Sequence, residues 1–479
     1  MQTSSLVTHQ VSTSFLDRQS TLFKIVFAAS IINALVLIWA HRFLPLSDYP
    51  DWVFEGSVVA SLLQGKALAA YTFKHYPVPN AAAVALIGLL DLVLSPETSG
   101  KVILSLCVIL LALTSIYFLK SLRREPASPL LLVPLLFLLN TFFFWGELSY
   151  ILGLSLFLFY GGYLFRRIYR TEPVSWWLLG GVSVGLFFCH FLSYAAAILL
   201  TLVLFISESR IDMWRPFAIS FSPSIGLTIW YTIERLSLRQ PGSGWQFWTP
   251  HQLAGRILAV FSPFPEFLPW LDINTSEMKL FALLNLIVTI AMTLILPFCA
   301  FEWARARKPH LGVLACAVAC AIASVASGYS YAGIISPGER FLYPAVWIGM
   351  CWLIGADLPR EDSALSRGLA VILVILMACQ IVFLQLSVAT ASNGLDALYT
   401  ELRSAKSQTE FCDVYETYMR QSFEKPHRTG LDLFLTSHAS VPRLPYYLYL
   451  EKKLAPPIFP TGILNYSGQG DSQYFCEPH

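Results

Sequence analysis

Asp48, Asp51 and Glu55 fall within eight residues of one another in PLSDYPDWVFEG (45–56), interleaved with Tyr49, Trp52 and Phe54. They follow directly on an apolar run long enough to cross a bilayer. A carboxylate at that depth suits a general base that takes a proton from an acceptor hydroxyl while the other reactant stays in the lipid. Partial desolvation and neighbouring acids raise its pKa toward the working range. A solvated loop anchored by interfacial aromatic residues is the plainer reading of the same string. Asp48 and Asp51 share a face if the turn is helical and part company if Pro50 keeps it extended.

Other chemistry-bearing residues lie at the ends of further apolar runs. In SPGERFLYP (336–344), Arg340 beside Glu339 could clamp a phosphate bidentately, or snorkel and pair with its neighbour. Glu147 in FFFWGELSY sits between two runs, as does His190 in FFCHFLSYA. Glu147 could join a site or simply end a helix at the surface, and His190 could face the same cavity or be a satisfied interior residue. In FKHYPVPN, Lys74, His75 and Tyr76 share the loop of the first acids. His75 could help Asp48 hold a divalent cation such as Mg²⁺ or Mn²⁺, could bind phosphate, or could be polar surface. Trp245, Trp248 and Trp270 in the loop 235–277 offer faces for a sugar or an isoprenoid, and an interfacial aromatic belt accounts for them equally well.

The elements that must position these residues are membrane spans. The 479 residues are 56% hydrophobic and 13% charged, against about 25% charged in a soluble domain. Their mean hydropathy is +0.59. With 32 basic and 30 acidic residues, the net charge of +2 supplies no field for nucleic acid. Apolar runs occur at about 22–41, 102–119, 128–145, 148–165, 174–189, 191–208, 216–234, 278–300, 311–328, 341–356 and 368–390, with a short one at 81–95 broken by Asp91. Basic clusters at Lys120/Arg123/Arg124, Arg166/Arg167/Arg170, Arg210/Arg215 and Arg305/Arg307/Lys308 are separated by even numbers of runs, so all four can face the cytoplasm. A re-entrant or two-sided arrangement of 81–95 keeps that count consistent.

The expected fold is an all-α polytopic membrane protein with about 11–13 transmembrane helices. Its parts are a cytoplasmic tail (1–21), a transmembrane domain (22–390) with outer loops 42–80 and 235–277, and a small extracytoplasmic C-terminal segment (391–479). Apolar residues from Trp52 to Leu63 at helical spacing predict an amphipathic helix lying on the membrane in the first loop. Seven cysteines lie in apolar runs, and the remaining two, Cys412 and Cys476, read as one disulfide of an oxidising compartment. No phosphate-binding loop, dinucleotide fingerprint, nucleophile elbow or zinc spacing occurs. The loops assigned to the cytoplasm are a few residues long, too short for a nucleotide-binding fold, so a donor would have to come from the lipid phase.

The stretches LSDYPDWVFEG, HYPVPN, NTFFFWGELSYILGLSLFLFYGGYLFRR (140–167), FFCHFLSYAA (187–196) and SPGERFLYPA (336–345) follow one another in an order that resembles the C-fold (GT-C) integral-membrane glycosyltransferases. The resemblance implies a polyprenyl-phosphate sugar donor, a glycan, lipid or protein acceptor, and inverting transfer on the outer face of a bacterial inner membrane. By the same resemblance Asp48, or else Asp51, is the base and Arg340 holds the lipid phosphate. Glu55, Lys74, His75, Tyr76, Glu147, His190 and Glu339 are the further candidates for binding substrate. No WWD-type tripeptide is present, which argues against an oligosaccharyltransferase acting on asparagine, and the small tail leaves the acceptor undefined. A transporter or flippase, or a non-catalytic assembly subunit, fits the same composition.

Overall fold

The computed structural model describes residues 4–66, 71–122, 129–173, 175–237, 247–250, 253, 310–328, 330–331, 334–335, 337–355, 364–407, 409–415, 417 and 463–466. The described chain is mostly helical, as expected. Its first helices are α1 (Ser4–Trp39), α2 (Tyr49–Leu63), α3 (Ala82–Leu90) and α4 (Pro96–Leu119). Ser95 starts α4 by accepting a hydrogen bond from Thr98 N (3.3 Å), and Pro96 and Glu97 suit its first turn. Next come the short α5 (Val133–Leu136) and α6 (Thr141–Phe144), then α7 (Leu148–Arg170), α8 (Trp176–Cys189), α9 (Phe191–Ser207) and α10 (Trp214–Ser237). The chain continues with α11 (Leu311–Ser327), α12 (Pro337–Gly355) and the 41-residue α13 (Ala364–Ser404).

Contacts at the helix ends sort them into two opposite sets. At one end Arg42 pairs with Glu97 (3.1 Å), Phe43 packs on Tyr399 (4.6 Å) and Asp48 N bonds Trp145 O. At the other end Arg170 Nη1 donates to Lys120 O (3.3 Å), Tyr169 Oη donates to Glu208 Oε1 (2.7 Å), and Gly312 N donates to the same oxygen. Helices α4 and α7 therefore run parallel, with Cys107 beside Leu148 and Phe118 beside Phe165. Every candidate side chain in the described residues belongs to the first end. The described members of the basic clusters, Lys120, Arg166, Arg167, Arg170, Arg210 and Arg215, belong to the second.

Two of the expected spans, Pro96–Leu119 and Leu148–Arg170, are helices long and apolar enough to cross a membrane. The apolar helices at 176–189, 191–207 and 311–327 are shorter, and the expected run 278–300 lies outside the described residues. Helix α7 is central, with 83% of its apolar stretch buried against 50% for α4. The outward sides of the surrounding helices carry exposed Ile32, Leu113, Ile206, Ile229, Ile322 and Ile375.

The expected span at 128–145 is not one helix. It is a 3₁₀ turn (Pro129–Leu132) followed by α5 and α6, broken where Pro134 lacks a donor and Asn140 is extended. Residues 131–144 are nonetheless all buried, so the freed backbone groups need internal partners. Phe143 N donates to Asn140 Oδ1 and Asn140 Nδ2 donates to Phe137 O (both 3.1 Å), while Gln380 Nε2 reaches across from α13 to Leu136 O (2.8 Å).

The first loop also differs from expectation. Helix α2 forms, but it is packed into the protein, with Trp52–Gly56 and Val58–Ala60 buried. The cause is close approach: a Cβ on Gly88 would lie 2.6 Å from Val59 Cγ1, and one on Gly100 would lie 2.5 Å from Tyr49 Oη. Helix α3 has nine residues, about 13 Å, which is too short to cross about 30 Å of hydrocarbon. Strand β1 (Tyr71–Phe73) and a late strand, Leu464–Tyr466, pair antiparallel and bring the C-terminal segment back onto the first loop. A two-residue pair of strands (Ser330–Tyr331, Ile334–Ile335) precedes α12. Helix α13 runs past the boundary expected at 390 to Ser404, held by Gln385 on Asn33 (2.8 Å).

Asp91 follows α3, and neither of its oxygens has a geometrically sound hydrogen bond, although Ser99 lies close. Burial lifts its carboxyl from 3.8 to about 6, with Ser99 opposing the shift. Since the folded state binds this proton more tightly than the unfolded state, stability falls as pH rises from about 4 to about 6 and then levels. Replacing Asp91 with Asn should raise the melting temperature at pH 7.5 and leave it unchanged at pH 4; an equal shift at both would refute this.

Candidate functional site

The site is built where the broken segment, α7, α9 and α12 meet. Glu147 precedes α7 and Arg340 stands in the first turn of α12. Their side chains are 15% and 10% exposed and form an ion pair, Arg340 Nη2 donating to Glu147 Oε1. Two charges this far from water need each other, because a lone one would carry its desolvation uncompensated. The Arg340 guanidinium lies 5.9 Å from the Phe142 ring centre, and Tyr150 Oη donates to Arg340 O (3.2 Å). Phe142, Tyr150 and Tyr343 pack together beneath, with Phe142 and Tyr150 centred 4.1 Å apart. Glu339 is buried at 4% exposure, and Trp248 of the long loop covers Gly338, where a Cβ would lie 2.8 Å from its indole nitrogen.

The acidic turn is fastened to this group by its backbone. Ser47 N donates to Phe144 O (3.0 Å) and Asp48 N to Trp145 O (2.8 Å). Gly146 makes the approach possible, since its φ is +71° and a Cβ there would lie 2.5 Å from Tyr49 N. Asp48 is the N-cap of α2 at φ −92°, ψ −3°, and Asp51 N donates to its carbonyl (3.1 Å). The turn is therefore helical despite Pro50, which occupies the first helical turn where it costs no hydrogen bond. Asp48, Asp51 and Glu55 consequently follow one face of α2, the first two half-buried and Glu55 2% exposed.

His190 joins α8 to α9 and is 2% exposed. Its ring meets Tyr150 edge-on at 5.0 Å, and Gly153 lets α7 approach so closely that a Cβ would lie 2.6 Å from His190 Cβ. Burial, helped by the charge on Arg340, holds its pKa well below the ordinary histidine value, so the ring is neutral. Asn80, in the left-handed region at φ +63°, caps α9 from a distance: its Oδ1 accepts from Phe191 N (2.9 Å) and its carbonyl from Ser149 Oγ (2.9 Å). Sequence reasoning did not select Asn80, Gly146 or Tyr150. The glycine and the asparagine carried a signal, being turn residues between apolar runs, whereas Tyr150 had none.

Lys74, His75 and Tyr76 are placed elsewhere. Lys74 N donates to Ile463 O (2.8 Å) beside the strand pair, His75 lies 3.4 Å from Glu234 of α10, and Tyr76 packs near Tyr231. Among the described residues no three His, Cys, Asp or Glu side chains converge to hold a metal, and His75 faces Glu234. Cys412 is in a disulfide, and Cys476, the partner expected for it, lies outside the described residues, as do Trp245 and Trp270. No family model, curated protein or solved structure matches this chain.

Replacing Arg340 with Met strands the Glu147 charge in a buried place and should cost about 3–5 kcal/mol of unfolding free energy. The double variant Arg340→Met/Glu147→Gln should recover much of that loss. Equal unfolding midpoints for wild type and Arg340→Met in denaturant titration would show that the pair carries no such energy.

Proposed function

We propose that the protein is an integral-membrane glycosyltransferase of the C-fold type, transferring a sugar from a polyprenyl-phosphate donor to a glycan, lipid or protein acceptor at the outer face of a bacterial inner membrane. The observation that carries this reading is the fastening of the Asp48 turn to the Trp145–Glu147 segment beside the buried Glu147–Arg340 pair. An acid and a phosphate-binding cation of the kind the chemistry needs thereby share one corner. The membrane part of the reading is supported by two helices long and apolar enough to cross a membrane, by the exposed apolar side chains on the outward sides of the helices, and by the gathering of the described basic clusters at the opposite end.

In the reaction, the Asp48 carboxylate takes the proton of the acceptor hydroxyl as that oxygen attacks the anomeric carbon. The bond from that carbon to the phosphate oxygen breaks, and the phosphate leaves with the electron pair and inverted stereochemistry at the sugar. Arg340, anchored by Glu147, offsets the charge growing on the phosphate. Asp51 follows on the same helical face as second acid. Neutral His190 and Glu339 lie near enough to Arg340 to shape the donor site. Glu55 is too buried to meet an acceptor without rearrangement, so its part is to fix α2.

A second reading, transport of a lipid-linked or polar substrate, is favoured by the discontinuous buried segment 129–144, because broken spans line the substrate sites of many transporters. One assay separates the two. Purified protein supplied with labelled polyprenyl-phosphate sugars should release or transfer label, and Asp48→Asn should lower turnover by about 10²–10⁴ while retaining bound lipid. Transfer undiminished in Asp48→Asn would remove the base assignment. Sugar movement across proteoliposomes without bond cleavage would establish the transport reading instead.

A further inference from the structure

A groove of about 560 Å³ runs between α8 and α10 at the end opposite the candidate site. Its walls are mostly apolar and aromatic, and Arg215 stands among its lining residues. Its volume is within the range of about 300–1,000 Å³ common for small-molecule sites. The groove follows from how the two helices meet. They touch at Gly180, where a Cβ would lie 2.9 Å from Ser220 O, and are joined further along by Ser183 Oγ donating to Ser224 Oγ (3.1 Å). Next to that contact Gly181 faces open space, with nothing within 4 Å of where its Cβ would stand. Pro223 removes one donor from α10 on the same side, and the orphaned Ile219 carbonyl accepts from Ser222 Oγ (2.8 Å) instead.

The charge pattern around the groove selects its occupant. Arg210 is held by Asp212 through two bonds of 3.0 Å, and Arg170 is held by Glu172 at 2.7 Å. Arg215 has no hydrogen bond or ion pair among the described residues, and it is exposed at the groove. Trp177, 88% exposed beside it, is the type of side chain that settles at a headgroup boundary. An apolar channel ending in an unneutralised guanidinium, at the basic end of the helices, is complementary to a chain with an anionic head.

We propose that this groove holds one anionic glycerophospholipid from the leaflet bordering the basic end, its acyl chain along α8 and α10 and its phosphate on Arg215. The proposal rests on the membrane reading but not on the transfer chemistry, which occupies the other end. The test is native mass spectrometry of delipidated protein given phosphatidylglycerol or phosphatidylcholine, for wild type, Arg215→Gln and Gly181→Trp. Both positions border open space, so the variants are expected to fold; α8 itself gains when a glycine is replaced. Wild type should retain one phosphatidylglycerol with about tenfold preference over phosphatidylcholine. Arg215→Gln should erase the preference, and Gly181→Trp should lower retention of both lipids. Equal phosphatidylglycerol retention in all three forms would overturn the groove assignment, and preferential capture of polyprenyl phosphate or of a second copy of the chain would overturn the choice of occupant. Release of the chain from carbonate-washed membranes would overturn the membrane reading and this proposal with it, whereas a failed sugar-transfer assay would leave the lipid result standing.

Discussion

A guanidinium and a carboxylate removed from water tolerate very little separation, and the pairing of Arg340 with Glu147 imposes that demand on four elements at once. It fixes the start of α12 against the start of α7, and it holds the end of the broken segment where the carbonyls of Phe144 and Trp145 can receive Ser47 and Asp48. The aromatic floor of Phe142 and Tyr150 follows from the same demand, because it excludes the water that would otherwise loosen the pair. Asp48 is held by backbone bonds to the segment that leads into Glu147, so the seating of the acidic turn and of the charge pair are linked through one stretch of chain.

The cost of this arrangement falls on segment 129–147. A regular helix there would satisfy its own backbone but would carry the chain past the corner, so the segment breaks at Pro134 and Asn140 and takes partners from outside. Gln380 on α13 supplies one of them across a separation of 244 residues. A buried irregular backbone of this kind is tolerated only when enclosed by protein, and residues 131–144 are all buried. Glycine plays the complementary part. Gly88, Gly100, Gly146 and Gly153 each stand where a single Cβ would meet a neighbouring element, so the first-loop helices and α9 seat against the bundle without an intervening layer of side chains.

The two ends of the described bundle divide the chemistry. One gathers acids, a neutral histidine and a buried arginine among aromatic rings, and the other gathers basic residues, most of them held by Asp212, Glu172 or backbone oxygens. Arg215 departs from that pattern, and it does so beside the apolar groove of α8 and α10. Charge is thus distributed differently at the two ends, although the total sums to only +2.

Much of the helical architecture was legible in the sequence. Apolar runs near 102–119, 148–165, 174–189 and 191–208 correspond to α4, α7, α8 and α9, because a long apolar run without proline has few ways to hide its backbone except as helix. Asp48, Glu147, His190 and Arg340 could be selected by type and by their place at the ends of runs. What the sequence by itself determined was therefore the helical class, the sorting of charge to run ends and a short roster of candidate polar groups, all of which depend on local composition. Only the tertiary structure decided that Arg340 pairs with Glu147, that His75 turns toward Glu234, that α2 is buried, and that 129–144 breaks. Those outcomes depend on the space left between helices distant in sequence, on glycines whose use shows only when a neighbour arrives, and on buried polar groups whose partners lie up to 244 residues away.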